Sequence, residues 1–121
     1  MAETYVHPSP AQVEAIEELD LDGPLVMLNL LRFNPDGGAE EYARYGAAAR
    51  PFLEAARATV RFVSDVAATF IGDDVWDRII LVEYPSKQAF LDMFSTPDYP
   101  SEIRAGALAD SRLYCSQESK F

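Results

Sequence analysis

The stretch that decides the fold is Leu25-Val26-Met27-Leu28-Asn29-Leu30-Leu31-Arg32-Phe33. Seven of its nine residues are apolar, and the run falls well short of the ~20 residues that a membrane helix needs. Gly23-Pro24 stands before it and Asn34-Pro35-Asp36-Gly37-Gly38 after it, so turn signals bound it and it reads as a strand. It does not alternate. Val26, Leu28 and Leu30 point one way, and Leu25, Met27 and Leu31 the other. A strand that is apolar on both sides is covered on both sides. Asn29 alone interrupts its interior, and Arg32 stands near its exit.

Upstream, residues 1–8 form a short arm in which His7 precedes Pro8 and is biased to extended backbone. Ser9 is a helix cap with Pro10 at the first position, and Val13, Ile16 and Leu19 follow at helical spacing. Downstream, a second helix is expected over about 39–57, with Tyr42, Tyr45, Ala49, Phe52, Leu53 and Ala56 on its apolar face. Pro51 should kink or divide it, because proline removes a donor and crowds the preceding turn.

A strand is expected over 59–71, with Val60, Phe62, Val66, Ala68 and Phe70 on one parity and Arg61, Val63, Asp65 and Ile71 on the other. Gly72-Asp73-Asp74 reads as its hairpin. The third strand, 76–84, has the core Ile79-Ile80-Leu81-Val82 and is again apolar on both faces. Ser86 caps a helix carrying Phe90, Leu91 and Phe94. A further helical segment from Thr96-Pro97-Asp98 carries Tyr99, Ile103, Ala107 and Leu108, and a last strand covers 111–117.

After the leading helix the order is βαββαβ, the split βαβ unit of α+β ferredoxin-like folds, a four-stranded antiparallel sheet with helices on one face. Its first and third strands are central, which fits the two most apolar runs. The expected organisation is one domain: an arm and helix over 1–22, then the ferredoxin-like unit over 23–121.

Helices on one face leave the other bare. Four strands ~4.8 Å apart and ~17 Å long present roughly 300 Å² in projection, an unusual apolar patch for a monomer. The simplest cover is a second copy, sheet against sheet. The alternative is that the leading helix and C-terminal tail fold over the face.

Composition narrows the function classes. The 121 residues carry 20 acidic and 10 basic side chains, a net charge of -10. That sign repels phosphate backbones and anionic lipid, so neither nucleic acid nor membrane is an expected partner. With 49% apolar residues the chain can form a core. One cysteine, Cys115, allows no internal disulfide, and one histidine with one cysteine makes no ordinary zinc site. No cofactor and no catalytic metal are expected, although carboxylates alone could hold Mg²⁺ or Ca²⁺. No signal-peptide pattern opens the sequence, and a cytoplasmic location is expected.

Several motifs together resemble a known family. They are MLNLLRF at 27–33 with the Gly-Gly turn after it, Tyr42-Ala-Arg-Tyr45, LVEYPS at 81–86, the Pro-Asp-Tyr break at 97–99 and Asp110-Ser-Arg-Leu113. The set is similar to domain-of-unknown-function family 1330, of the dimeric α/β-barrel superfamily. One departure is Ala58-Thr59, where relatives tend to carry a glycine pair. The resemblance implies the ferredoxin-like fold and a homodimer. It brings no established reaction. The superfamily contains cofactor-free monooxygenases, lactone isomerases and haem enzymes.

Candidate site residues follow from the polar interruptions. Asn29 needs a hydrogen-bond partner in its apolar strand, either a ligand oxygen or the protein itself. Arg78 is a candidate to hold an anionic substrate or oxyanion, with Asp65 as a candidate base. The alternative is an arginine–carboxylate pair across neighbouring strands. The two share a face if Ile71 pairs with Trp76, and a hairpin one residue longer or shorter separates them. Tyr45 and Trp76, with Tyr42, Tyr84 and Tyr99, suit either an aromatic ligand or ordinary packing. His7, on the arm, is not placed to bind haem, and Cys115 reads as a small core residue. The reading is a homodimer that binds a small apolar or aromatic molecule. As an enzyme it would be a cofactor-independent oxygenase or isomerase; the alternative is a non-catalytic binding or interaction protein.

Overall fold

In the computed structural model, which describes residues 3–120, the chain runs α1 (Pro10–Glu18), β1 (Leu25–Phe33), α2 (Gly38–Ala55), β2 (Thr59–Asp65), β3 (Arg78–Tyr84), α3 (Lys87–Ser95), α4 (Ser101–Ala107), β4 (Leu108–Ser116). The first two residues of the arm and the last of the tail lie outside the described residues. The strands form one antiparallel sheet in the order β2-β3-β1-β4, with β1 and β3 central. This is the ferredoxin-like α+β fold.

The two sides of β1 differ. Leu25, Met27, Asn29 and Leu31 are buried under the helices, while Val26, Leu28 and Leu30 are half-buried on the opposite face. Across that open face Leu28 lies beside Leu81 and Tyr114, and Leu81 beside Phe62. Phe62 is 52% exposed and Tyr114 54%. The leading helix does not cover them. It packs against α3, where Lys87 Nζ donates to the Glu17 and Leu19 carbonyls at 2.6 Å each. The arm instead runs beside β4, with the Tyr5 N–H donating to Asp110 and Ser111 Oγ to the Tyr5 carbonyl.

Local chemistry explains the helix starts. Ser9 and Gln12 form a reciprocal capping box, and Ser86 Oγ accepts the Ala89 N–H. Gly37 turns the chain into α2 with φ of 77°, in the left-handed region where a Cβ costs about 1–2 kcal/mol. Gly38 is required by space, since a Cβ there would lie 2.6 Å from the Ala107 carbonyl oxygen.

Four expectations are corrected. Pro51 does not divide α2, which continues through it to Ala55. The β2–β3 hairpin is shorter than alternation suggests. Beyond Asp65 only Val66 finds a backbone partner, Asp77, whose own N–H goes to Leu31 on β1. With nothing to pair against, Phe70 stands 98% exposed, and Trp76 lies in the loop before β3. A bulge at Arg61 shifts the register, so Val60 sits opposite Val82 and Val63 opposite Ile80, both on the helix-covered side. Phe62 takes the open side. Finally, α4 begins only after Pro100, and β4 starts at Leu108, directly from that helix.

The core divides in two. Leu25, Met27, Val82, Tyr84 and Met93 form one cluster; Leu31, Tyr42, Ala107 and Leu108 form the other. Ile80 packs against both, and Asn29 lies on β1 between Met27 and Leu31, where the two clusters meet.

Candidate functional site

A cavity of about 400 Å³ lies at this junction, between the covered side of the sheet and α2, α3 and α4. That is within the range of small-molecule sites. Met27, Ile80, Val82, Val60 and Val63 form its floor, and Ala49, Leu53 and Phe90 close it from the helices. Its polar groups are Asn29, Tyr42, Tyr45, Tyr84, Tyr99, Arg50 and Arg104, and no aspartate or glutamate lines it.

Asn29, 7% exposed, is held by the protein. Its amide N–H groups reach the Ile80 carbonyl at 3.3 Å and the Met27 carbonyl at 3.5 Å, and its Oδ1 accepts from Arg104 Nη2 at 3.0 Å. The helix carrying Arg104 is fixed at the exit of β1. Asn34 donates from its backbone to the Ala107 carbonyl and from its side chain to the Gly106 carbonyl, and Gly38 permits the close contact with Ala107. That clamp aims Arg104 at Asn29.

The tyrosines line the cavity in two aromatic groups. Tyr42 and Tyr45 are 5.2 Å apart between ring centroids, Tyr45 and Tyr99 meet edge-on at 6.2 Å, and Tyr84 meets Phe90 at 5.1 Å. The hydroxyls of Tyr45 and Tyr99 are hydrogen-bonded to each other. Burial pushes the Tyr42 phenol up to about 12, with the nearby Arg104 guanidinium opposing it. Burial also raises Tyr45, Tyr84 and Tyr99, and in Tyr45 the Tyr99 phenol adds to the rise. All four are therefore neutral donors near pH 7.

Of the residues singled out from the sequence, Asn29 and Tyr45 meet in this cavity. Asp65 and Arg78 do not line it; they face each other across β2 and β3 with Arg78 Nε donating to Asp65 Oδ1 at 2.9 Å. The Asp65 side chain is solvent-exposed, and Arg78 lies over the Phe33 ring. They are direct strand partners, not neighbours through an Ile71–Trp76 pair. Trp76 belongs to another cluster, with the guanidinium groups of Arg32 and Arg112 over its ring at 5.8 and 5.2 Å. Both arginines bond the buried Asp110, at 2.8 and 2.7 Å. Burial would raise that carboxyl, but the donors from Tyr5, Arg112 and the Ser111 backbone outweigh it and hold it below its usual range. This cluster fastens the arm to β4.

Arg104 was not legible as a site residue. Its one local signal is the i,i+3 spacing to the buried Ala107, which turns it inward on a short helix. Gly46 also lines the cavity. It sits inside α2, and a Cβ there would meet nothing within 4 Å, so packing does not require glycine. Among the described residues no three metal-ligating side chains are grouped.

No family model matches the chain, and no curated protein matches it. Among solved structures, RPA0582, a protein of unknown function from Rhodopseudomonas palustris, is 32% identical over 98% of this chain and 99% of its own, with a TM-score of 0.89. The chain belongs to the RPA0582 family. More distant likenesses show the fold alone. One is a DABB family protein with a ferredoxin-like fold from Mesorhizobium loti, 13% identical over 82% of this chain and 100% of that one, TM-score 0.57. Another is a dimeric ferredoxin-like protein of unknown function from Thermobifida fusca, 15% identical over 81% and 93%, TM-score 0.52. Membership of the RPA0582 family brings no reaction with it, so the chemistry has to be argued from the site.

Proposed function

We propose that this protein is a homodimer, joined through its open sheet face, that binds a small aromatic or alicyclic molecule in the cavity beside Asn29 and Arg104. The observation that carries the reading is the cavity itself: a tyrosine-walled space with one polar pair at its floor, where the two clusters of the core meet. Gly46 supports it, because an interior helix glycine costs stability of about 0.5–1 kcal/mol relative to alanine and here leaves room beside the cavity. The exposed Phe62 and Tyr114 on the open sheet face support the dimer.

The absence of any carboxylate from the lining favours the non-catalytic binder over an enzyme that abstracts a proton. If there is turnover, the Arg104 guanidinium, held by Asn29, stabilises an oxyanion on a substrate acidic enough to lose its proton to solvent, as cofactor-independent oxygenase chemistry would allow. The test is a ligand-observed NMR screen of aromatic and alicyclic fragments against wild type and Gly46→Leu, which fills the cavity. Fragments that bind wild type and not the variant support the reading; no binders, or binders indifferent to Gly46→Leu, refute it. Incubating the binders in air and following them by mass spectrometry separates enzyme from binder.

A further inference from the structure

The cavity's polar inventory is one-sided. The Arg104 guanidinium donates to Asn29, lies beside the Tyr42 phenol, and pairs with no carboxylate among the described residues. Six other arginines do pair, and the remaining one, Arg57, is in solvent. Arg104 is half-buried. The Asn29 amide is already committed, its oxygen to Arg104 and its N–H groups to backbone carbonyls. The Tyr45 and Tyr99 hydroxyls share one proton in their mutual bond, which leaves the second O–H free to donate. Apart from the phenol oxygens, which can also accept, the unspent groups that face the cavity are donors, and part of them is a cation. A neutral ligand would leave that charge desolvated and uncompensated, which is costly.

We infer that the cavity takes an anion: a small aromatic or alicyclic carboxylate, its head on the Arg104 guanidinium and a tyrosine hydroxyl, its ring against the apolar floor. A planar carboxylate matches the guanidinium fork, which a hydroxyl or amide does not. The chain's net charge of -10 does not select such a ligand; the selection is local, made by Arg104, since the other lining arginine, Arg50, is paired with Glu54.

This inference rests on the cavity reading above, and a matched pair of probes separates the two. Isothermal titration calorimetry with 2-naphthoate and 2-naphthalenemethanol compares one ring system with and without the charge. The expected result is that wild type binds the carboxylate at least tenfold more tightly than the alcohol. Arg104→Met should remove that preference while retaining the alcohol, and Arg104→Lys should keep part of it. Circular dichroism checks that each variant is folded, and the wild-type ratio stands without any variant. Equal affinities in wild type overturn the anion inference and leave the cavity reading standing. Binding of neither probe overturns both.

Discussion

Asn29 and Arg104 offer a sharp test, because each is the other's side-chain partner. Asn29→Leu takes away the amide acceptor of the guanidinium, a charge-assisted bond worth about 1.5–3 kcal/mol. The amide's own bonds, at 3.3 and 3.5 Å, are long and add little. Leucine recovers some of the loss by packing between the two halves of the core, and cavity water partly resolvates Arg104. The net expectation is destabilisation by about 1–2 kcal/mol. In an Arg104→Met background the same change replaces both partners by apolar groups and should be near neutral or stabilising. The coupling energy is then about 1.5–3 kcal/mol. Urea unfolding followed by far-UV circular dichroism, at one protein concentration because the stability of the proposed dimer would depend on it, gives the four values. Additivity within about 0.5 kcal/mol would show that the bond has no energetic weight and that Asn29 is retained for another reason.

The other predictions concern packing, backbone, charge and assembly. Gly46→Ala should raise stability by about 0.5–1 kcal/mol, since its position is helical and open; a loss in thermal unfolding would mean that the space beside it is not free. Gly38→Ala should lower it by about 1–3 kcal/mol, because the Cβ meets the Ala107 carbonyl. Arg57 has φ of 58°, so Arg57→Gly should be neutral to stabilising by about 1 kcal/mol. Asp110 has a depressed carboxyl in the folded state, so the stability it contributes is present above the unfolded value of about 3.9 and is lost as pH falls through the lower folded one. Asp110→Asn should therefore flatten the fall in urea midpoint on acidification. Phe62→Glu paired with Tyr114→Glu should turn the proposed dimer into a monomer by light scattering, and a wild-type monomer at micromolar concentration would remove the proposed interface.

The features legible in the sequence were those set by near neighbours. The two-sided apolar run at 25–33, the Ser9 and Ser86 caps and the order of elements carry the fold, because each depends on residues a few positions away. What escaped depended on pairing at a distance. The alternation through Val66, Ala68 and Phe70 looks like strand, yet the segment opposite turns away to bond β1. The Arg61 bulge moves Val60 to the face that parity denied it. Asn29 was visible as a polar break in an apolar strand, and Tyr45 as part of an apolar helix face. Arg104 was not, because its role needs α4 clamped beside the exit of β1 through Asn34 and Gly38, a contact between the two ends of the unit.

The most direct test of the site is a heteronuclear NMR titration of the labelled protein with 2-naphthoate. The account predicts saturable shifts of the Asn29 side-chain amide and the Arg104 Nε–H, with the Trp76 indole unmoved. Shifts confined to the Trp76 cluster, the open face or the loop around Phe70, or no shifts at all, would contradict it.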